Sequence, residues 1–438
     1  LPLGALCVVT ALRKESFPVD FLDVDGLRLS KEEVLRAIRG CKPKVVGLSA
    51  LATLYNYVAW ISEEIKKIDP AITIVLGGTL ASSSYSFVLR TTRVDICVLG
   101  EGEVTAPELM RCLESGGMLE KVHGIAYTRD GEVCTTPQRA LIEDLDTVAE
   151  LDLSMVDFSR YIRPGTIIAS RGCSNRCLYC YQQFKGVRTR SPESLYREIS
   201  LLKNKYGVKF FTFLDSYLMS EKAFIERLCS LLKPLRIQWD CYGRLDKVNK
   251  ELLAVMRDAG CIRINYGIES LHQKILDAMN KRITVEEIEK NLTVSMRSGI
   301  KEICGSFIIG YFKETEETLA HTIQEAKRWK IYAAGFYLTP FPGTYVYDEA
   351  FKKKLIASEH EYFTRHLGRG DEFESISNKF YINCSEMSDE ALTKGYARFE
   401  KELLRTPSFP ARVKHYIAGK FAKGKKYLKE ALIDVVEE

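Results

Sequence analysis

The chain has 438 residues, 46% hydrophobic and 28% charged, which suits a globular protein of two or three domains and excludes a disordered chain or a small disulfide-stapled one. No apolar run approaches the ~20 residues that a membrane-crossing helix needs. The net charge of +5, with Lys and Arg interleaved among Asp and Glu nearly everywhere except the tail, gives no global reason to expect nucleic acid.

The opening run LPLGALCVVTALRK predicts the first helix of an α/β unit whose first strand is missing. With Leu1 in place of an initiator Met, some native N-terminus is expected to be absent. No secretory leader is visible, so a cytoplasmic location is expected. From residue 19 to about 114, VDFLDV, KVVGLSA, ITIVLGG and VDICVLG alternate with amphipathic stretches such as KEEVLRAIRG and YNYVAWISEEIKKI, the grammar of a doubly wound parallel sheet. Residues 123 to 146, with Arg129-Asp130-Gly131 between two β-prone runs, predict a hairpin leading into an irregular linker. A second series follows, with strands expected at GTIIAS, KFFTFL, IQWDCY, IRINYG, EICGSFIIG and AAGFYLTP. Six strands with intervening helices predict a partial (β/α)6 barrel, whose strand C-termini and following loops face the active site. Beyond about residue 345 the pattern turns helical. The expected domains are therefore 1–120, a Rossmann-like unit; 121–162, hairpin and linker; 163–345, the barrel; and 346–438, a helical C-terminal region.

Just after the first barrel strand, SRGCSNRCLYCYQQ spaces Cys173, Cys177 and Cys180 as CxxxCxxC. Thiolates are soft ligands that favour iron-sulfur clusters or zinc, and three on one loop can bind three irons of a 4Fe-4S cluster, leaving the fourth open. A structural zinc site would want a fourth ligand, which this loop does not supply. Thirteen cysteines along a long chain fit reduced thiols; Cys7, Cys41 and Cys97, within apolar runs, are expected in the core.

The loop resembles the signature of the radical S-adenosylmethionine superfamily, CxxxCxΦC, with Tyr179 as the aromatic before the last cysteine. The resemblance implies that the open iron chelates the amino and carboxylate groups of S-adenosylmethionine and that one electron cleaves it to a 5'-deoxyadenosyl radical. It extends downstream. Asp215 and Ser216 in FTFLDS match the segment at the methionine end of the cofactor, Arg244 in WDCYGRLD the carboxylate contact, Glu269 and Ser270 in NYGIES the ribose contact, and Ile308 in GSFIIG the adenine contact. Each alone has a plainer reading as a helix cap, surface charge or packing position. One departure is Gly310-Tyr311-Phe312-Lys313-Glu314, where many relatives have Gly-Leu-Pro-Gly; an ordinary strand-to-helix connection is at least as good a reading.

The first domain resembles the cobalamin-binding domain found ahead of many such enzymes, through FLDVDG, VVGLSALATLY, IVLGGTLAS and VLGEGE. That implies cobalamin at the sheet's carboxyl edge, where Gly77 and Gly78 would let backbone approach the nucleotide tail and Ser49, Thr53 and Glu101 would add polar contacts. Glu101 and Glu103 can equally cap the next helix. No DxHxxG is present, so a histidine on cobalt is not expected. In the tail, Val413, Ile417, Phe421 and Leu428 among many lysines predict a basic amphipathic helix at 410–430. Such a helix can touch an anionic membrane, although a solvated helix on its own barrel is commoner.

The leading functional expectation is cobalamin-dependent radical methylation of an unactivated carbon in a small-molecule, lipid or natural-product substrate, with flavodoxin or ferredoxin as electron donor. The alternative is radical cyclisation, rearrangement or carbon-carbon joining without methyl transfer. A metal-stabilised nucleic-acid-binding protein is opposed by the barrel rhythm. A methylthiotransferase is disfavoured because the N-terminal cysteines lack that family's surrounding motifs.

Overall fold

The computed structural model describes residues 1–161, 163–367 and 381–403. The expected basic helix at 410–430 lies outside them. No helix among the described residues is long and apolar enough to cross a membrane.

The N-terminal unit runs α1 (Leu3–Lys14), α2 (Lys31–Cys41), β1 (Val45–Ser49), α3 (Tyr55–Ile68), β2 (Thr73–Gly77), α4 (Gly78–Thr91), β3 (Ile96–Val98) and α5 (Gly102–Glu114), followed by β4 (Ile125–Arg129) and β5 (Glu132–Thr135). Strands β1, β2 and β3 are parallel, and β4 and β5 continue the same sheet antiparallel. The hairpin expected to start the linker thus completes the first sheet. Helix α2 begins with a capping box in which Ser30 and Glu33 satisfy each other's backbone amides. VDFLDV, expected as a β run, forms no strand, and no described strand pairs with it. Cys97 is fully buried as expected, whereas Cys41 ends α2 exposed.

The second unit runs β6 (Gly165–Ile167), an inserted hairpin β7 (Ser170–Cys173) and β8 (Gly186–Thr189), α6 (Pro192–Tyr206), β9 (Phe210–Phe213), α7 (Lys222–Leu232), β10 (Gln238–Gly243), α8 (Lys250–Asp258), β11 (Cys261–Glu269), α9 (Gln273–Ala278), α10 (Val285–Met296), β12 (Glu302–Ile309), α11 (Glu316–Trp329) and β13 (Tyr332–Tyr337). Six parallel strands lie in the order β13-β12-β11-β10-β9-β6, so each strand pairs with its neighbour in sequence. Period-two alternation decides which side chains face the helices: Phe211, Phe213, Trp239, Cys241, Ile264, Tyr266, Ile268 and Phe307 are all buried in that layer. The alternate residues line the barrel interior.

The C-terminal helices α12 (Tyr345–Lys352), α13 (Glu359–Glu361) and α14 (Asp389–Leu403) divide their packing. The first two, with the π-turn Tyr362–Leu367, cover the N-terminal unit, where Phe363 stacks on Phe87 with ring centroids 4.6 Å apart and Thr364 accepts from Asn56. Helix α14 covers the barrel: Phe399 and Tyr396 pack against β12 and β13. Each fully buried ring contributes about 1.5–3 kcal/mol, so this segment joins the two units.

The departure at 310–314 is resolved as a connection. Glu314 is 1% exposed and accepts from the Gly310 amide at 2.6 Å. Burial pushes its carboxyl from 4.5 up to about 7, against the pull of the Gly310 and Tyr311 amides. The folded chain therefore keeps a proton that the unfolded chain releases, and this contribution is present below about pH 4.5 and lost as pH rises through about 7. Glu314→Gln, which does not titrate, should gain on the wild type by about 2–3 kcal/mol between about pH 5 and about pH 8. Urea denaturation at the two pH values measures this, and an unchanged difference would rule out a buried titrating carboxyl.

Candidate functional site

The cysteine loop projects from the barrel on the β7/β8 hairpin. Gly172 sits at φ +88°, where a Cβ would run into the Gly186 carbonyl of the facing strand, so only glycine lets the chain enter the loop there. Cys173 ends β7. Its Sγ accepts from the Asn175 backbone amide at 3.5 Å and from the Asn175 side chain at 3.4 Å. Cys177 is buried and its Sγ accepts from Arg244 Nη1 at 3.5 Å. Cys180 is exposed; burial of its sulfur and the neighbouring Cys177 and Cys173 push its thiol up to about 11. The far side of the loop is tied to the barrel, with the Leu178 amide on the Met279 carbonyl and the Asn280 side chain on the Arg176 carbonyl.

All thirteen cysteines are free thiols. No group of three His, Cys, Asp or Glu side chains among the described residues is placed to share a single metal ion. A cluster asks for something else, three separate irons each meeting one thiolate. Three soft donors on one loop, two of them already accepting N–H hydrogen bonds, fit that demand.

The residues expected around S-adenosylmethionine separate into two groups. Tyr179, Ser216, Arg244 and Glu269 line one continuous cavity with the three cysteines. Tyr179 OH donates to Glu269 Oε1 at 3.0 Å, and Lys281 Nζ reaches the same carboxylate at 2.8 Å and the phenol at 3.1 Å. Glu269 has φ +67°, an uncommon backbone state for glutamate that aims its carboxylate at this triangle. Burial, then the Glu269 charge, holds the Tyr179 phenol well above its ordinary range. Arg244 is fixed by Asp246 Oδ1 at 3.1 Å and the Lys281 carbonyl at 2.8 Å.

The other residues have partners of their own. Asp215 also borders the cavity, is 2% exposed and accepts from the Ala169 amide at 3.0 Å and from Ser170 Oγ, so it ties β9 to the entrance of the cysteine loop. Ser270 is 1% exposed and shares a hydrogen bond with Thr322 of α11. Ile308 packs with Tyr179 against Tyr311 and Leu338. Lys281 was missed by sequence reasoning: a lone lysine in MNKRIT carries no local signal until the fold returns it to Glu269.

Strand register sorts the barrel interior into layers. At the bottom Arg263 pairs with Asp240 and Glu302, and Arg163 also faces Asp240. Above them Leu214 and Tyr242 line the cavity and leave 48% and 45% of their surface exposed, with Asn265 and Ser306 on the same wall, hydrogen-bonded to each other at 3.2 Å. Exposed apolar side chains around a polar pair inside a concavity make a ligand surface.

On the opposite side the carboxyl edge of the N-terminal sheet opens onto the same cavity, of about 4700 Å³, with Ser49, Thr53, Gly77 and Gly78 on its wall. Gly78 has φ +86° and a Cβ there would lie 2.7 Å from the Ala50 carbonyl oxygen, so the backbone approach requires glycine. Glu101 also borders the cavity, but its carboxylate is taken by Arg171, Arg188 and the Ile142 amide. Residues 1–122 contain no histidine. A wide cradle with glycine backbone on its wall and no imidazole fits a bulky corrinoid held without a histidine ligand.

Known proteins carry the same pieces. The Radical SAM superfamily model matches residues 167–326 and the B12 binding domain model residues 1–110. An uncharacterized methyltransferase of Pyrococcus horikoshii is 29% identical over 368 residues, 81% of this chain and 79% of that protein. The anaerobic magnesium-protoporphyrin IX monomethyl ester cyclase of Rubrivivax gelatinosus is 30% identical over 362 residues, 78% of this chain and 65% of its own length. The chain thus spans just under two thirds of the cyclase. The radical S-adenosylmethionine methyltransferase TsrM of Kitasatospora setae, solved with cobalamin and a 4Fe-4S cluster bound, aligns with a TM-score of 0.74 over 100% of this chain and 97% of TsrM, at 17% identity, a likeness of fold.

Proposed function

Because the chain belongs to the radical S-adenosylmethionine superfamily and carries a B12-binding domain ahead of its barrel, we propose that it is a cobalamin-dependent methyltransferase acting on an unactivated carbon of a small molecule held in the barrel interior. The observation that carries this is the shared cavity: the cysteine loop stands between the glycine edge of the first sheet and the ligand surface of the second. When bound, the cluster with S-adenosylmethionine supplies a radical able to take a hydrogen atom from carbon, and cobalamin supplies a methyl group.

The chain's own residues do the rest. Cys173, Cys177 and Cys180 hold the cluster, and the N–H groups of Asn175 and Arg244 on their sulfurs temper the thiolates' charge. Tyr179, Ser216, Arg244, Glu269 and Lys281 hold S-adenosylmethionine: Lys281 and Arg244 suit its carboxylate, and Glu269 its ribose hydroxyls. Ile308 and Ser270 support that wall from behind. Asn265 and Ser306 offer a neutral donor and acceptor beside Leu214 and Tyr242, which favours a largely apolar substrate with one amide or hydroxyl group. A flavodoxin or ferredoxin supplies the electron.

The cyclase relative supports a second reading, ring formation on the same carbon radical without methyl transfer. The first discriminating experiment is cobalamin binding. The anaerobic protein should bind hydroxocobalamin at micromolar concentration, and the cobalt(II) EPR spectrum should not change when its histidines are isotopically labelled. A chain that ignores hydroxocobalamin has a scaffold for a first domain, and methyl transfer then loses its support.

A further inference from the structure

Both feet of the cysteine loop stand on one turn of the N-terminal unit. On the outgoing strand Arg171, two residues before Cys173, places Nη1 on Glu101 and Nη2 on Glu103. On the returning strand Arg188, which lies directly opposite Arg171 in the hairpin register, donates to both Glu101 oxygens at 3.0 Å. Gln183, three residues after Cys180, donates to Ser82 Oγ at 3.1 Å and to the Gly100 carbonyl at 3.3 Å, and the Gly100 amide donates to the same Ser82 hydroxyl.

These contacts are buried: the Glu101 and Glu103 side chains are 4% and 5% exposed, those of Arg171 and Arg188 19% and 16%. Two arginines facing each other across a hairpin repel, so the loop's base needs the carboxylates to close. Removing either partner would strand a buried charge. The turn at 100–103 follows β3 and runs into the first residues of α5, on the carboxyl edge that presents Gly77 and Gly78 to the cavity. It therefore belongs to both sites at once, and none of its links to the loop passes through a cysteine.

We propose that the turn at 100–103, gripped by Arg171, Arg188 and Gln183, couples the two cofactor sites, so that a cluster on the cysteine loop and cobalamin on the sheet edge each strengthen binding of the other. The inference rests on the cofactor reading above. The same bonded turn borders both sites, so a cofactor that favours this geometry on one side favours it for the other, and linkage makes the effect reciprocal. Arg171, Glu103 and Gln183 act as positioning residues, with no hydrogen bond to a cysteine sulfur or to Gly77 or Gly78.

The test is a titration of the full chain with hydroxocobalamin under anaerobic conditions, before and after cluster reconstitution. The wild type should bind at least about fivefold more tightly with the cluster present, the lower end of common coupling factors. In Arg171→Met/Glu103→Gln, which removes both ion pairs of Arg171 while Glu101 keeps Arg188, iron loading and cobalamin binding should each persist while the ratio of affinities falls towards one. Gln183→Ala should reduce the ratio in part, and keeps the test open if the double variant folds poorly. Equal wild-type affinity in the two forms would overturn the coupling, as would a ratio that survives in both variants. No binding in either form would instead remove the cobalamin reading and this inference with it, a result the titration distinguishes directly.

Discussion

Replacing Cys177 with alanine is expected to take the protein from about four irons per chain to almost none, with loss of its brown colour and of all S-adenosylmethionine cleavage. The reasons are structural. Cys177 is the buried member of the three and the one whose sulfur already accepts a hydrogen bond from Arg244, so no nearby side chain can replace it. Losing one of three thiolates leaves two irons anchored at most. The control is Cys229→Ala: that thiol is 1% exposed on α7 among Ile225, Leu228 and Leu232, and its loss should cost about 1 kcal/mol of stability and no iron. Iron by colorimetric assay and absorbance after anaerobic reconstitution decide the matter. Unchanged iron in Cys177→Ala would end the cluster assignment, because a ligand cannot be dispensable to the cluster it holds.

The parts of this design that could be read from the sequence are the local ones. The alternation Phe211-Thr212-Phe213 or Ile264-Asn265-Tyr266 reports a strand with one face on helices, and the spacing of Cys173, Cys177 and Cys180 reports a ligand loop, whatever surrounds them. What escaped was set by long-range pairing. VDFLDV has the composition of a strand, but a strand exists only when another lies beside it. The bonds from Arg171 to Glu103 and from Gln183 to Ser82 span 68 and 101 residues, and nothing in either segment announces its partner. Asp215 carries a role that its motif did not announce. It borders the cavity, and both its oxygens tie Ala169 and Ser170 to β9, which only packing reveals. The C-terminal helices were legible but their packing was not, for no periodicity says that Phe363 will stack on Phe87.

Under dithionite or titanium citrate and over several turnovers, a methyltransferase should release 5'-deoxyadenosine and S-adenosylhomocysteine together, with a product heavier by one methyl group. One S-adenosylmethionine is consumed to make the radical and a second to replace the methyl group. The chain's contribution is to hold these groups in register. The Tyr179–Glu269–Lys281 triangle is closed by three contacts of 2.8 to 3.1 Å, with Glu269 and Lys281 buried. Lys281→Met leaves Glu269 facing the cavity without its cation, and Glu269→Gln leaves Lys281 without its anion. Neither residue touches a cysteine sulfur, so iron content should stay at the wild-type level while deoxyadenosine formation falls by about a hundredfold, the scale of a displacement of about 1 Å at a reacting centre. A variant that loses iron in proportion to its activity would show the triangle to be a support for the loop instead. Asn265→Leu, remote from the cofactor wall, should spare deoxyadenosine formation and cut product formation, because it strips the polar partner from the substrate surface and leaves Ser306 unpaired. Mass spectrometry of both nucleosides and the product settles the reaction. Deoxyadenosine without S-adenosylhomocysteine, beside a product of unchanged carbon count, would reject methyl transfer and favour ring formation on the same radical.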